Sequence, residues 1–195
     1  MTINTIASDS VMEEIRRLFE QMDQAYDAAA QTHGFECQGC PDNCCLTRFY
    51  HYTLTEYLYL NAGLNTLPTK LMNHVRQQAT DVIQKMNHAG QRPQPLRILC
   101  PLNQKQRCIL YAYRPMICRL HGIPHLLRRP DGQRQIGPGC GDFDHQCGPC
   151  DQPILDRTPL YTALAALERQ LRQNMGFTQK IKMTIAEMIT VDLFA

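Results

Sequence analysis

The chain has no tryptophan, and nowhere in its 195 residues does an apolar stretch approach the ~18 residues of a membrane span. Net charge is also scarce. Twenty Lys and Arg against 18 Asp and Glu leave a formal charge of +2, which excludes a broad attraction for nucleic acid or anionic lipid. The opening MTINTIASDSVMEEI lacks a basic start and an apolar run, so no export signal is expected and the cytoplasm is the expected compartment. There is no GxGxxG, GxxxxGK[ST] or HExxH order, no internal repeat and no low-complexity linker. With 44% hydrophobic and 19% charged residues, the chain is not a disordered tail. It can bury roughly 70% of its unfolded surface without covalent staples. An unidentified protein partner is expected, and neither membrane nor nucleic acid is.

What the chain has is cysteine. Ten lie at Cys37, Cys40, Cys44, Cys45, Cys100, Cys108, Cys118, Cys140, Cys147 and Cys150. That is about 5% of the chain, short of the roughly 8–10% of a small disulfide scaffold. In a reducing compartment such a set points to metal or redox chemistry rather than disulfides. The set divides the chain into three stretches. Residues 1–33 read as an N-terminal helix, 34–150 as a cysteine-rich metal-binding domain, and 151–195 as a helical extension packing on it.

The helices have their own signals. Ser10 with Glu13, Thr53 with Glu56, and Thr184 with Glu187 have capping-box spacing. Ile15, Leu18, Phe19 and Met22 recur with helical period, and Gly34 suits a left-handed cap. Gly63 is expected to stop a short helix, and Pro68 to open a longer one with an apolar face from Leu71 to Met86, ending at Gly90. Thr158-Pro159 opens the next, with Leu160, Leu164, Leu167 and Leu171 on one face and Gly176 at its end. From Leu96 the period changes. Ile98–Leu102 and Cys108–Tyr111 read as a hairpin that could bring Cys100 near Cys108. A second hairpin surrounds Arg129-Pro130-Asp131-Gly132, and Gly137–Gly141 reads as loop. The expected fold is α+β, a small cysteine-rich core with short β-hairpins flanked by amphipathic helices.

Cys37-Gln-Gly-Cys40 is a knuckle in which two thiolates can converge on one metal. Adjacent Cys44 and Cys45 diverge, which suggests two sites, or one ligand and one packed thiol. Cys100-Pro101 has the proline context of iron–sulfur ligands. Cys118-Arg-Leu-His121 adds a nitrogen at a spacing that zinc accepts. Cys147-Gly-Pro-Cys150 resembles a thioredoxin-type dithiol, although no βαβ unit precedes it. Arg114 and Arg119 are candidate hydrogen-bond donors to the sulfurs of a negatively charged cluster, or else partners of a carboxylate. His125 and His145 also lie near cysteines, and Arg128, Arg129 and Arg134 read as a solvated basic turn. The Cys-Pro step favours a [4Fe–4S]-type cluster with a redox or sensing role. Paired knuckles favour the alternative, a structural zinc module that docks a partner.

The run Cys37–Cys45, then Cys100, then Cys108, Tyr111, Arg114, Pro115, Cys118 and Arg119, resembles the YkgJ-like CxxCxxCC family, described as a zinc- or iron-chelating cysteine-cluster domain. The resemblance covers about residues 35–141. It implies metal ligation by Cys37, Cys40, Cys44, Cys45, Cys100, Cys108, Cys118 and Cys140, with Cys37, Cys40 and Cys118 foremost. Cys147 and Cys150 are additions to that set. Three residues, Pro41-Asp42-Asn43, stand where the family has two. A related domain in flagellin lysine-N-methylases implies a further alternative, a metal-dependent role in protein modification. No glycine-rich S-adenosylmethionine motif is present, so methylation itself is not carried over, and no catalytic residue is assigned because no Ser/His/Asp arrangement or interpretable carboxylate pair stands out.

Overall fold

The computed structural model describes residues 9–37, 44–89, 97–150 and 152–194. Cys40 and the expected helix stop at Gly90 lie outside the described residues.

Helix α1 (Asp9–Thr32) buries Ile15, Leu18, Phe19 and Met22, each worth ~1.5–3 kcal/mol when removed from water. It starts ahead of Ser10, which therefore sits in its first turn rather than capping it. At its end Gly34 has φ +68°. The Phe35 N–H donates to the Ala30 carbonyl at 2.9 Å and the Gly34 N–H to the Gln31 carbonyl at 3.1 Å. This closing motif turns the chain sharply three residues before Cys37.

Helix α2 (Leu54–Leu64) is the centre of the molecule, with every residue from Leu54 to Leu60 buried. A helix buried on every side has no water at its first turn, so its first N–H groups need partners within the protein. Thr53 accepts from the Glu56 N–H. Glu168, far along the chain, accepts from the Leu54 N–H at 2.8 Å, the Thr55 N–H at 2.9 Å and the Thr55 hydroxyl at 2.7 Å. Gly63 does not stop the helix but lies within it. A Cβ there would overlap the Tyr113 ring, so it is small for packing rather than for its backbone angle.

Helix α3 (Thr69–Ala89) follows Pro68 as expected and packs on the last helix. The first hairpin, β1 (Asn103–Gln104) with β2 (Arg107–Cys108), is shorter than the pattern suggests and pairs Asn103 with Cys108. Its two-residue turn, Lys105-Gln106, has φ +50° and +66°, the left-handed pair that matches strand twist. The Ile109 N–H still donates to the Leu102 carbonyl at 2.9 Å, but the strands go no further, and the Asn103 N–H closes a turn onto the Cys100 carbonyl at 2.9 Å. The second hairpin, β3 (His125–Arg128) with β4 (Arg134–Gly137), lies where expected, and β5 (Leu155–Asp156) joins β3 in parallel.

Two short helices, α4 (Met116–Leu120) and α5 (Gly141–Cys147), were not expected. Cys140 is the residue that precedes α5, so the expected loop ends in a helix start. Helix α6 (Thr158–Met175) ends at Gly176 as expected, and α7 (Ile185–Thr190) has the full Thr184–Glu187 capping box. The fold is α+β. No helix among the described residues is long and apolar enough to cross a membrane.

The buried apolar side chains form two clusters. One joins α2 and α3 to the tail, with Leu102, Leu110, Leu171 and Met188, and Cys100 and Cys108 pack against it. The other joins α1, α4, α5 and α6, with Phe19, Phe35, Leu120 and Phe143, and Cys140, Cys147 and Cys150 pack against it. Tyr113 touches both.

Candidate functional site

A cavity of about 740 Å³ opens between the two clusters. Seven of the ten cysteines line it: Cys37, Cys44, Cys45, Cys100, Cys108, Cys118 and Cys140, together with His121. They reach it from six separate places in the fold. Cys37 follows the α1 closing turn. Cys44 and Cys45 sit in a single 3₁₀ turn, Cys44–Leu46. Cys100 precedes the first hairpin, Cys108 ends it, Cys118 lies on α4 and Cys140 precedes α5. The segment 38–43, which carries Cys40, belongs between two of these but lies outside the described residues. All nine described cysteines are free thiols.

The seven fall into two groups by their neighbours. Cys45, Cys100, Cys108 and Cys118 influence one another's ionisation and form a hairpin group. Burial raises the Tyr26 hydroxyl's pKa, and Cys37, Cys140 and Cys44 add to the rise; these three form a helix-end group. A Cβ added at Gly122 would lie 3.1 Å from that hydroxyl and 3.7 Å from the Cys140 sulfur. The Cys140 N–H donates to the Gly122 carbonyl at 2.9 Å. Cys44 and Cys45 join the groups, with the Cys44 thiol donating to the Cys45 sulfur.

In the hairpin group, backbone N–H groups point at sulfur. Leu102 donates to Cys100 and Leu110 to Cys108, each from two residues further along the chain. The Cys100 N–H also donates to the Cys45 carbonyl at 2.9 Å, fastening the 3₁₀ turn to the hairpin. Burial pushes the Cys100 thiol up to about 12, and burial with thiol neighbours pushes Cys118 well above its ordinary range. Cys45 runs the other way, because the Cys44 hydrogen bond and the nearby Asn103 amide favour its thiolate. A crowd of half-buried thiols cannot ionise together without a cation among them.

Arg114 and Arg119 line the cavity, and their hydrogen bonds run to oxygen. Arg119 is buried and donates to Asp23, to the Ala112 carbonyl and to the Arg114 carbonyl. Arg114 donates to the Asp23 carboxylate at 3.2 Å, the Tyr111 carbonyl at 3.0 Å and the Cys118 carbonyl at 3.3 Å, with its guanidinium over the Tyr111 ring. Together they brace the turn that delivers Cys118. Burial of the Arg119 guanidinium draws its pKa down while Asp23 opposes this. Glu56 accepts from the Met116 N–H at 3.1 Å and anchors the start of α4. Arg157, buried, donates to the Leu120 carbonyl and anchors its end.

The remaining candidates lie elsewhere. His121 lines the cavity and stacks edge-on against Phe49. His125 packs on Gly137 and accompanies the Ile123 carbonyl, and His145 is exposed on α5. Cys147 and Cys150 do not line the cavity. Their thiols donate to the His33 carbonyl at 3.3 Å and the Gln152 carbonyl at 3.2 Å. The residues that spacing did not disclose are Tyr26, Asp23 and Asn103, which carry no motif and reach the site only through the fold.

The donor set was tested for fit to a metal centre. Among the described residues, no three His, Cys, Asp or Glu side chains form a group ready to hold a single ion. The chemistry of the lining nevertheless fits a thiolate-bound metal. Asn103 is buried beside Cys45, and its side-chain amide is directed at that sulfur, where it favours the thiolate. A buried amide donor on sulfur is the kind of neighbour that supports a metal-bound thiolate.

No family model, no curated protein and no solved structure matches the chain.

Proposed function

We propose that this is a cysteine-ligated metalloprotein of the YkgJ-like type, cytoplasmic, holding a [4Fe–4S]-type cluster in a redox or sensing role and working with a protein partner. The observation that carries the reading is the gathering of seven cysteines, from six places in the fold, around one cavity. Thiolates suit both iron–sulfur clusters and zinc, and N–H groups directed at sulfur serve either. A volume of about 740 Å³ leaves room for more than one ion, which supports the cluster. Cys45, Cys100, Cys108 and Cys118 are the four ligands the hairpin group would supply. Cys37, Cys44 and Cys140, with Cys40, would supply a second set.

When bound, a cluster supplies one-electron redox chemistry at a potential set by its surroundings. The chain's own contribution is to present thiolates from braced turns, to direct Leu102 and Leu110 N–H groups at sulfur, and to keep Arg119 and Arg114 positive nearby. The test is iron, acid-labile sulfide and zinc measured on protein purified without oxygen, with its visible spectrum. Iron and sulfide in equal amounts, with absorption near ~400 nm, is the expected result. Colourless protein with one or two tightly held zinc ions would replace the cluster with the structural zinc reading. Protein without either metal would end both.

A further inference from the structure

Cys147 and Cys150 are left over from the cavity, yet they are not remote from it. Helix α5 carries a cavity cysteine, Cys140, before its first turn, and Cys147 is its last residue. The same end of α5 grips the segment that leads to Cys37. The Gln146 side chain accepts from the Glu36 N–H and donates to the Glu36 carbonyl, both at 3.0 Å. The Cys147 thiol adds a third bond, to the His33 carbonyl at 3.3 Å. Cys150, three residues on, spends its thiol on the Gln152 carbonyl at 3.2 Å. Neither sulfur is fully enclosed, and the two are near enough for one to affect the ionisation of the other.

We propose that Cys147 and Cys150 form a second thiol site, separate from the metal cavity, which closes reversibly to a disulfide and thereby loosens the grip of α5 on the chain before Cys37. A dithiol at this spacing is suited to exchange with a disulfide. One thiol, as thiolate, attacks a low-molecular-weight disulfide RSSR, breaking its S–S bond and releasing one RS⁻. The other protein thiol then attacks the mixed disulfide at the protein sulfur and releases the second RS⁻. Two protein thiols are oxidised, one RSSR is reduced to two RSH, and the two protons pass from the protein thiols to the leaving groups. In the dithiol state Cys147 donates to His33. In the disulfide state it has no hydrogen to donate, so the two states differ by one of the three bonds that run from α5 to residues 33–36.

The experiment equilibrates the full chain, as purified without oxygen, in glutathione buffers of rising GSSG content. Thiols are then trapped with N-ethylmaleimide and the disulfides mapped by mass spectrometry. A disulfide within the Cys147–Cys150 peptide is expected, absent from Cys147→Ser and Cys150→Ser. Hydrogen exchange of the Glu36 amide should quicken about fivefold on oxidation, the size of one lost hydrogen bond. Gln146→Ala should quicken it without any oxidation. Two thiols that stay reduced, or that pair with cavity cysteines, would overturn the site. A disulfide that forms while Glu36 exchange stays unchanged would overturn the link to α5. Metal content is read on the same samples, and its absence would sink the metal reading while leaving this result standing.

Discussion

The two cysteine groups are built differently. The hairpin group draws its sulfurs from turns locked by backbone bonds, such as Cys100 N–H to Cys45 and Asn103 N–H to Cys100. It rests on the cluster centred on α2 and has Glu56 and Arg119 bracing α4 from behind. In the helix-end group Cys37 follows α1 and is exposed, Cys140 precedes α5 and packs on the other cluster, and Cys44 shares the 3₁₀ turn of Cys45. One set is tied mainly by bonds among its own turns, and the other mainly by the bonds that close α1 and lead into α5. Losses of structure and of metal should therefore track each other in the first group more closely than in the second.

The strongest way to break that contrast is Cys118→Ser against Cys140→Ser. On the proposed reading, Cys118→Ser lowers retained metal at least about tenfold and the melting temperature by about 10 °C, roughly 3–4 kcal/mol in a chain of this size. Cys140→Ser should lose metal with a shift about half as large. Elemental analysis and thermal denaturation on the same samples check both, and equal shifts would erase the distinction. Next in size is Arg119→Met, which leaves Asp23 with Arg114 alone and strands two carbonyls, and should cost about 3 kcal/mol, read by urea unfolding. Gly63→Ala forces a methyl group against Tyr113, which should cost about 2 kcal/mol by the same measurement.

Glu56→Gln sharpens the contrast through pH. Burial opposes ionisation of Glu56, but His51, Thr53 and the Met116 N–H together hold its pKa below the ordinary value. A carboxyl depressed in the folded state adds stability that is full above its unfolded pKa, about 4.3, and is lost as pH falls through the folded value. The wild-type chain should therefore lose its advantage over Glu56→Gln on acidification below about pH 4.3, with a difference of about 1–2 kcal/mol at neutral pH. Melting curves from pH 3 to 7 check this. The smallest effect belongs to the helix-end group. Gly34→Ala, at φ +68°, should cost about 1 kcal/mol and leave metal in the hairpin group unchanged.

Much of this architecture was legible because it is local. The α1 face from Ile15 to Met22, the Gly34 cap, the Thr184–Glu187 box and the turn at Arg129–Gly132 each declare themselves within a few residues, and each is present. What spacing could not disclose is long-range or too short to show a period. Helices α4 and α5 have five and seven residues, less than two turns or barely two. Gly63 read as a helix stop because its partner, Tyr113, lies elsewhere in the chain. The separation of Cys147 and Cys150 from the other cysteines follows from the direction of α5, which no spacing rule contains. Asp23 pairs with both Arg114 and Arg119, and that ion pair depends on the packing of α1 against α4.

The capping of α2 has a consequence for how the protein is made. Its first N–H groups are satisfied by Glu168, which lies 114 residues after Leu54, and the Tyr57 hydroxyl donates to the carbonyl of Val191, 134 residues later. On a ribosome adding about 10 residues per second, the central helix waits more than about 10 s for these partners. Throughout that interval Cys44 and Cys45 have been synthesised, while Leu171, Met188 and the other C-terminal side chains that complete the packing of α2 do not yet exist. Nascent thiols in that window are open to oxidation and to adventitious metals. On the proposed reading, loading of a metal is then a matter of timing during synthesis, because those thiols exist well before the C-terminal helices that complete the packing of α2.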